Sequence, residues 1–236
     1  MKFLIWNERG LGQASRKSVA RAYTSKLSPS ILDLIETKLP DPNLQLVRCV
    51  WGKRPCQWIS MPVIGASGGI WVVWDPSDLT LNNYHIGNFS WKFTAVYRPN
   101  SSSLRQSSWT ELDHISSLPH PIWCLGGNFN VTRWSYERNT SSSIFQEKRD
   151  FSDFISRNDL LDIPLKGCQF TWSNHSSSPT LSKLDMFLTS IDWDEKFLKT
   201  TSQALPKPAS DHCPILLDTN AIHKGPSPFR FELHWL

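Results

Sequence analysis

Seven polar side chains stand where apolar runs of the chain end or are interrupted. Asn7 follows the run KFLIW (2–6), and Glu36 closes ILDLI. Asn128 and Asn130 follow IWCLGG, Asp185 sits inside the apolar frame KLDMFL, and Asp211 and His212 directly precede CPILL. Carboxylates and amide oxygens are hard donors and proton acceptors, and an imidazole moves a proton near neutral pH. A carboxylate in an apolar frame, as at Asp185, is costly unless it is paired or hydrogen-bonded. Strand ends are where a rigid scaffold places working groups. Each residue taken singly also has a plain reading as a turn residue or helix cap. Glu36 could pair with Lys38 in solvent, and Asp211–His212 could cap the turn before Pro214. Their number and order carry the functional weight.

The elements that must position them are legible in outline. Residues 2–6 read as a buried strand, Gly10 and Gly12 break the chain, and 15–27 reads as a helix. Val19, Ala22 and Tyr23 share one helix face, while Arg16, Lys17, Arg21 and Lys26 form a solvated one. The run 31–37 is a second strand, which makes a βαβ-like opening. Segments 44–51, 57–64, 69–74, 79–86 and 89–97 are short, rich in Trp, Val and Ile, and read as antiparallel strands, with Ser67–Ile70 as a tight turn feeding WVVW. Helices are expected over 103–117, with Trp109, Leu112 and Ile115 inward, and over 145–158, with Phe151, Phe154 and Ile155 inward. Between them lie the strand IWCLGG and a polar loop at 134–143; further strands fall at 168–172, 183–188, 202–205 and 213–217. Two α/β blocks with antiparallel strands in each half give an α/β (α+β) chain, a two-sheet sandwich with helices outside.

Composition limits the alternatives. With 236 residues the chain is one large domain or two small ones, and twelve Trp with twelve Phe are too many aromatics for disorder. A net charge of +4 favours polyanions only mildly. Five scattered cysteines without a CxxC pair argue against a disulfide framework and a zinc knuckle, and most of them read as buried thiols in a reducing compartment. The N-terminal apolar run is too short for a signal peptide, and no run of 18 apolar residues exists. The expectation is an intracellular protein, nuclear or cytoplasmic, without membrane contact. The Asn-x-Ser/Thr triplets at Asn88, Asn100 and Asn130 then read as chance.

Nine strings in series, WNERGLG (6–12), IETK (35–38), SGGIWVVWDPS (67–77), AVYRP (95–99), WCLGGNFNVTR (123–133), FTWSN (170–174), SKLDMFL (182–188), SDHCPILL (210–217) and GPSPFRFELHWL (225–236), resemble the endonuclease/exonuclease/phosphatase superfamily. Within it they are most similar to the endonuclease domain of plant non-LTR (long interspersed element) retrotransposons, relatives of abasic-site endonucleases. The resemblance implies a four-layer α/β sandwich, two mixed β-sheets packed face to face with helices outside, and a site at one rim. It implies a domain over residues 1–220 and a linker over 221–236 toward a reverse transcriptase absent from this chain. It implies Mg²⁺-dependent hydrolysis of double-stranded DNA by a monomer, with Mn²⁺ as the alternative ion. Carried over by match, Glu36 is the main metal ligand, Asn7 orients the metal shell, and Asp211 helps there. Tyr97 and His212 donate to the scissile phosphate, Asp185 holds His212 in its tautomer, and Asn130 holds the attacking water or a phosphate oxygen.

One departure matters. The family motif Gly-Asp-Phe-Asn here reads Gly127-Asn128-Phe129-Asn130. An amide cannot take up a proton at neutral pH, and losing a positioned base costs about 10²–10⁴-fold. Arg9 replaces the acidic residue of abasic-site enzymes and matches the retrotransposon type. Arg98 replaces a smaller residue, and either a phosphate contact or a crowded groove would follow. The readings carried forward are a nicking endonuclease, an inactive relic that keeps the fold and binds DNA, and another phosphoesterase of the same superfamily.

Overall fold

The computed structural model describes residues 1–64, 67–79, 90–98, 102–119, 122–140, 145–207 and 210–220. Strand β1 (Lys2–Asn7) buries Phe3 through Trp6 completely, as a central strand must when both its faces are covered. Helix α1 (Ala14–Leu27) and strand β2 (Ile31–Ile35) complete the βαβ opening, and β1 and β2 run parallel with Asn7 opposite Ile35. The inward face of α1 runs through Val19, Ala20, Tyr23 and Leu27; Ala22 is exposed.

The first of the expected middle strands is instead a helix, α2 (Leu44–Trp51). Its Val and Trp content suggested a strand. The spacing decides otherwise, because Val47, Val50 and Trp51 fall at i, i+3 and i+4 and are all buried. Asn43 caps the start by accepting from the Leu46 amide at 2.9 Å, and Gly52, at φ 102°, ends it. Strands β3 (Gln57–Ile64) and β4 (Ser67–Trp74) pair antiparallel, and β4 also pairs with β2. The expected strand 79–86 lies, apart from Leu79, outside the described residues.

In the second half, α3 (Ser102–Ser117), β6 (Trp123–Asn128) and α4 (Phe145–Arg157) follow the sequence expectation; β5 (Lys92–Tyr97) is a strand as expected, but it pairs parallel with β6 and not antiparallel with a neighbour in sequence. Short strands β7 (Leu160–Asp162) and β8 (Leu165–Lys166) were not anticipated. The expected strand at 168–172 shrinks to β9 (Trp172–Ser173), paired with β10 (Leu181–Ser182). Strand β11 (Asp185–Ser190) begins two residues late, and a one-and-a-half-turn helix α5 (Ile191–Lys196) follows it, with the Ser190 hydroxyl accepting from the Trp193 amide. Strands β12 (Thr201–Ala204) and β13 (Ile215–Asp218) close the described chain.

Seven strands form one mixed sheet in the order β3-β4-β2-β1-β13-β12-β8, and four form the other in the order β5-β6-β11-β7. Alternation of side chains divides the core into three. Leu4, Trp6, Leu32, Leu34, Trp71 and Val73 meet α1 and α2 on the outer face of the large sheet. Phe3, Ile5, Ile35 and Ile215 meet Cys124 and Phe187 between the sheets. Leu125, Met186 and Leu188 meet Trp109 of α3 and Phe151, Phe154 and Ile155 of α4. Helices, sheet, sheet and helices make the expected four layers.

The sheets approach closely where β6 crosses β1. A Cβ at Gly126 would lie 2.3 Å from Ile5 Cδ1 and 2.8 Å from the Phe187 ring. Replacing Gly126 with Ala should therefore cost about 1–3 kcal/mol in urea unfolding. Gly12→Ala, where a Cβ meets nothing within 4 Å, should stay within about 0.5 kcal/mol of the parent.

Candidate active site at the sheet rim

Register brings the singled-out residues to one edge. Tyr97, Asn128 and Asp185 are direct neighbours across three adjacent strands of the small sheet. In the large sheet Asn7 ends β1 opposite Ile35, so Glu36 leaves β2 at the same level. Ser210 ties the approach to β13 onto β1: its hydroxyl donates to the Asn7 carbonyl at 2.7 Å and accepts from the His212 amide at 3.2 Å. The Trp6 indole donates to the His212 carbonyl at 3.3 Å. Across the gap, Asp185 Oδ2 lies 2.8 Å from His212 Nδ1, with both side chains buried. This pair joins the two sheets.

The charges are mutually tuned. Burial alone would lower the His212 pKa, but Asp185 outweighs it, helped by Asp211 and Glu36, and the imidazole is raised above its ordinary value. Burial alone would raise Asp211, but the Arg9 guanidinium, His212 and the Trp172 indole at 2.9 Å together hold it below the usual carboxylate range. Tyr97 is pushed well above an ordinary phenol by burial and by Glu36, to which it is hydrogen-bonded. It therefore stays protonated and donates to Glu36.

Four rim residues occupy the left-handed region: Arg9 (φ 48°), Glu36 (φ 57°), Lys38 (φ 54°) and Asn130 (φ 50°). Such backbone costs energy and persists where the surroundings over-determine it. At Glu36 the constraint is visible. The Thr37 amide donates to the Gly69 carbonyl at 3.0 Å and the Lys38 amide to the Gly68 carbonyl at 3.2 Å. A Cβ at Gly69 would stand 2.6 Å from Thr37 Oγ1, so the glycine pair lets β4 clamp the Glu36 loop. Lys38 Nζ lies 4.0 Å from the Glu36 carboxylate.

Asn128 is buried, and its Oδ1 accepts from the Asn130 amide at 2.8 Å. Asn130 in turn donates through Nδ2 to the Arg98 carbonyl, which leaves the amide oxygen as what it offers a ligand. The Arg98 side chain is 2% exposed and packs inward, its guanidinium 4.3 Å from the Trp109 ring centre. It is turned into the fold, away from solvent. Arg16 likewise departs from a solvated face: it donates to the Glu8 and Gly10 carbonyls and pins the loop after β1.

Several contributors were not singled out from sequence. Thr171 Oγ1 accepts from the amides of Leu184 and Asp185 at 2.9 and 3.0 Å, fixing the start of β11. Trp172 and Arg9 both hold Asp211. Glu8 is completely buried, neither of its carboxyl oxygens has a hydrogen-bond partner, and burial pushes its pKa up to about 8, opposed only by Arg16. Glu8, Thr171 and Trp172 lie inside strings read above as whole motifs (WNERGLG and FTWSN), where no single letter marked them; Arg9 stood out for its match to the retrotransposon type, but not for its hold on Asp211.

Among the described residues, no group of three or more His, Cys, Asp and Glu side chains is arranged to hold a metal ion. The expected set of Glu36, Asp211 and Asn7 contains two carboxylates and one amide. The Asn7 oxygen accepts from the Arg9 amide at 3.1 Å, and Asp211 is paired with the Arg9 guanidinium. In kind, these all-oxygen donors suit a hard dication. In this structure Arg9 is paired with Asp211 and lies within electrostatic reach of Glu36, which Lys38 also faces.

No family model and no curated protein matches the sequence. Solved structures do match in fold. An abasic-site endonuclease, LMAP from Leishmania major, superposes with a TM-score of 0.69 at 18% identity, over 92% of this chain and 86% of that one. NExo from Neisseria meningitidis, a 3′-5′ exonuclease, gives 0.70 at 17% identity, over 92% and 99%. The endonuclease domain of TRAS1, a telomere-specific non-LTR retrotransposon, gives 0.65 at 12% identity, over 93% and 98%. The chain shares the fold of these nucleases.

Two measurements test the electrostatics. A carboxyl whose folded pKa is raised needs its proton to fold, so Glu8 costs no stability below pH 4.5 and a growing amount as pH rises toward about 8. Glu8→Gln should remove a slope of up to about 1.4 kcal/mol per pH unit across that window, seen in denaturant unfolding at a series of pH values. Stability from the raised imidazole is present below the unfolded value near 6.5 and is lost as pH rises through the folded one. Asp185→Asn should lower the His212 pKa in an NMR titration, because it removes the charge that holds the imidazole up.

Proposed function

We propose that this chain is a Mg²⁺-dependent, phosphodiester-cleaving DNA endonuclease domain of retrotransposon origin, acting as a monomer on double-stranded DNA and weakened by Asn128. The observation that carries this reading is the buried Asp185–His212 pair sharing one rim with Glu36, Tyr97, Asn130 and Asp211. The fold relatives support it: one is a retrotransposon endonuclease domain, and a 3′ phosphatase NExo structure is bound to a product DNA hairpin.

Glu36, Asp211 and Asn7 would hold the ion, which when bound supplies Lewis acidity to a phosphate oxygen. The remaining roles belong to the chain. With His212 Nδ1 held by Asp185, Nε2 is the nitrogen left to face substrate, and its raised pKa favours the form that donates to a phosphate oxygen. Tyr97 fixes the Glu36 carboxylate through its hydroxyl, and turning that one proton to a phosphate placed beside it would release the carboxylate. Asn130 accepts from the attacking water through its free amide oxygen. Asn128 keeps the turn that presents Asn130 but has no basic oxygen for that water's proton. A cut of this kind in one strand would leave a 3′ hydroxyl for a reverse transcriptase to extend.

Asn128 also supports the second reading, a relic that keeps the fold and binds DNA without cutting it. The two separate on supercoiled plasmid with Mg²⁺. The natural sequence should nick weakly or not at all, and Asn128→Asp should gain about 100-fold or more. Equal rates would discard the role given to Asn128. An Asp form that is inert on DNA but hydrolyses a phosphomonoester or an inositol phosphate would move the chain to another branch of the superfamily.

A further inference from the structure

Two of the five cysteines meet beside the rim. Cys168 and Cys213 are hydrogen-bonded to each other through their side chains, and both are partly exposed. They sit on segments that run antiparallel: Trp172 bridges to His212, the Ser173 amide donates to the Asp211 carbonyl at 3.1 Å, and the Cys213 amide donates to the Thr171 carbonyl at 2.7 Å. The Cys168 sulfur also reaches the Phe170 carbonyl at 3.0 Å, which folds its short loop back toward Cys213. Cys124 is buried in the core between the sheets, and Cys49 and Cys56 lie on and just after α2.

We propose that Cys168 and Cys213 are an oxidation site: hydrogen peroxide converts them to a reversible disulfide that staples the Trp172 segment to the segment carrying Asp211 and His212. Accepting the hydrogen bond from Cys213 lowers the Cys168 pKa against the opposing effect of burial and makes Cys168 the more acidic thiol of the two. Its thiolate attacks one peroxide oxygen, the O–O bond breaks, and Cys168 sulfenic acid and water form once the departing oxygen takes up a proton. The Cys213 sulfur then displaces hydroxide from the Cys168 sulfur. The S–S bond forms as the S–O bond breaks, and the Cys213 proton leaves with hydroxide as the second water. Two thiols lose two electrons in all, and one peroxide takes them up.

The staple would act on the site through the residues between its ends. Trp172 donates to Asp211, and Cys213 is the chain neighbour of His212. A bond between positions 168 and 213 fixes both segments in one arrangement.

The test uses the full chain and hydrogen peroxide at a low molar excess. Free thiols are then alkylated, and the digest is read by mass spectrometry with and without dithiothreitol. The expected product is a peptide pair joined between Cys168 and Cys213 that dithiothreitol separates, with Cys49, Cys56 and Cys124 alkylated. Cys168→Ser and Cys213→Ser should each abolish the joined pair, with circular dichroism confirming that they are folded. If either variant unfolds, the mapping on the natural chain decides alone. Recovery of Cys168 and Cys213 as alkylated thiols, as separate sulfinic or sulfonic acids, or joined to other cysteines would overturn the proposal. None of these readings depends on DNA cleavage, so the result stands apart from the fate of the endonuclease assignment.

Discussion

The contact between Asp185 and His212 holds the rest of the rim in place. It is a buried, charged hydrogen bond made by residues from different sheets, one opening a strand of the small sheet and the other leading into a central strand of the large one. Burial makes it consequential in both directions. A paired carboxylate and imidazole tolerate the low dielectric, while either one alone would be left uncompensated. The layers can therefore pack only in the arrangement that lets the two meet. That arrangement also sets Tyr97 and Asn128 beside Asp185, and Asn7 beside the approach to His212.

The backbone around this contact is shaped as tightly as the side chains. Gly126 lets the sheets close on each other, and Gly68 and Gly69 let β4 hold the Glu36 loop by its amides. Among the described residues, four of the seven non-glycine residues in left-handed conformations belong to the rim, and two of these are visibly tied down: Glu36 between Lys38 and Tyr97, Asn130 between Asn128 and Arg98. The rim is thus held before any ligand arrives.

Much of this arrangement can be read from the chain, and what cannot has physical causes. Strand-end positions were legible because strands are short apolar runs and a polar letter at their close stands out, as with Asn7, Glu36 and Asp185. The four layers were legible because the α/β blocks repeat. The helix α2 was misread because β-branched and aromatic letters favour strands, whereas its cap and its i, i+3, i+4 burial are matters of spacing. The inward turn of Arg98 was hidden because a long cationic side chain on a strand end has no sequence mark for direction; only the Trp109 ring in the next helix decides it. Thr171 and Ser210 act through hydroxyls that bond backbone groups far along the chain, and separations of that kind leave no periodic trace.

Arg9 changes what it would mean for the rim to take up a dication. Its guanidinium, half-exposed, already lies against Asp211 and within reach of Glu36, so those carboxylates share a positive charge from their own chain. Neither carboxylate is therefore a bare anion: the charge of each is felt by one side chain that reaches both, so a change of protonation or a substitution at either would loosen the same guanidinium at the mouth of the rim.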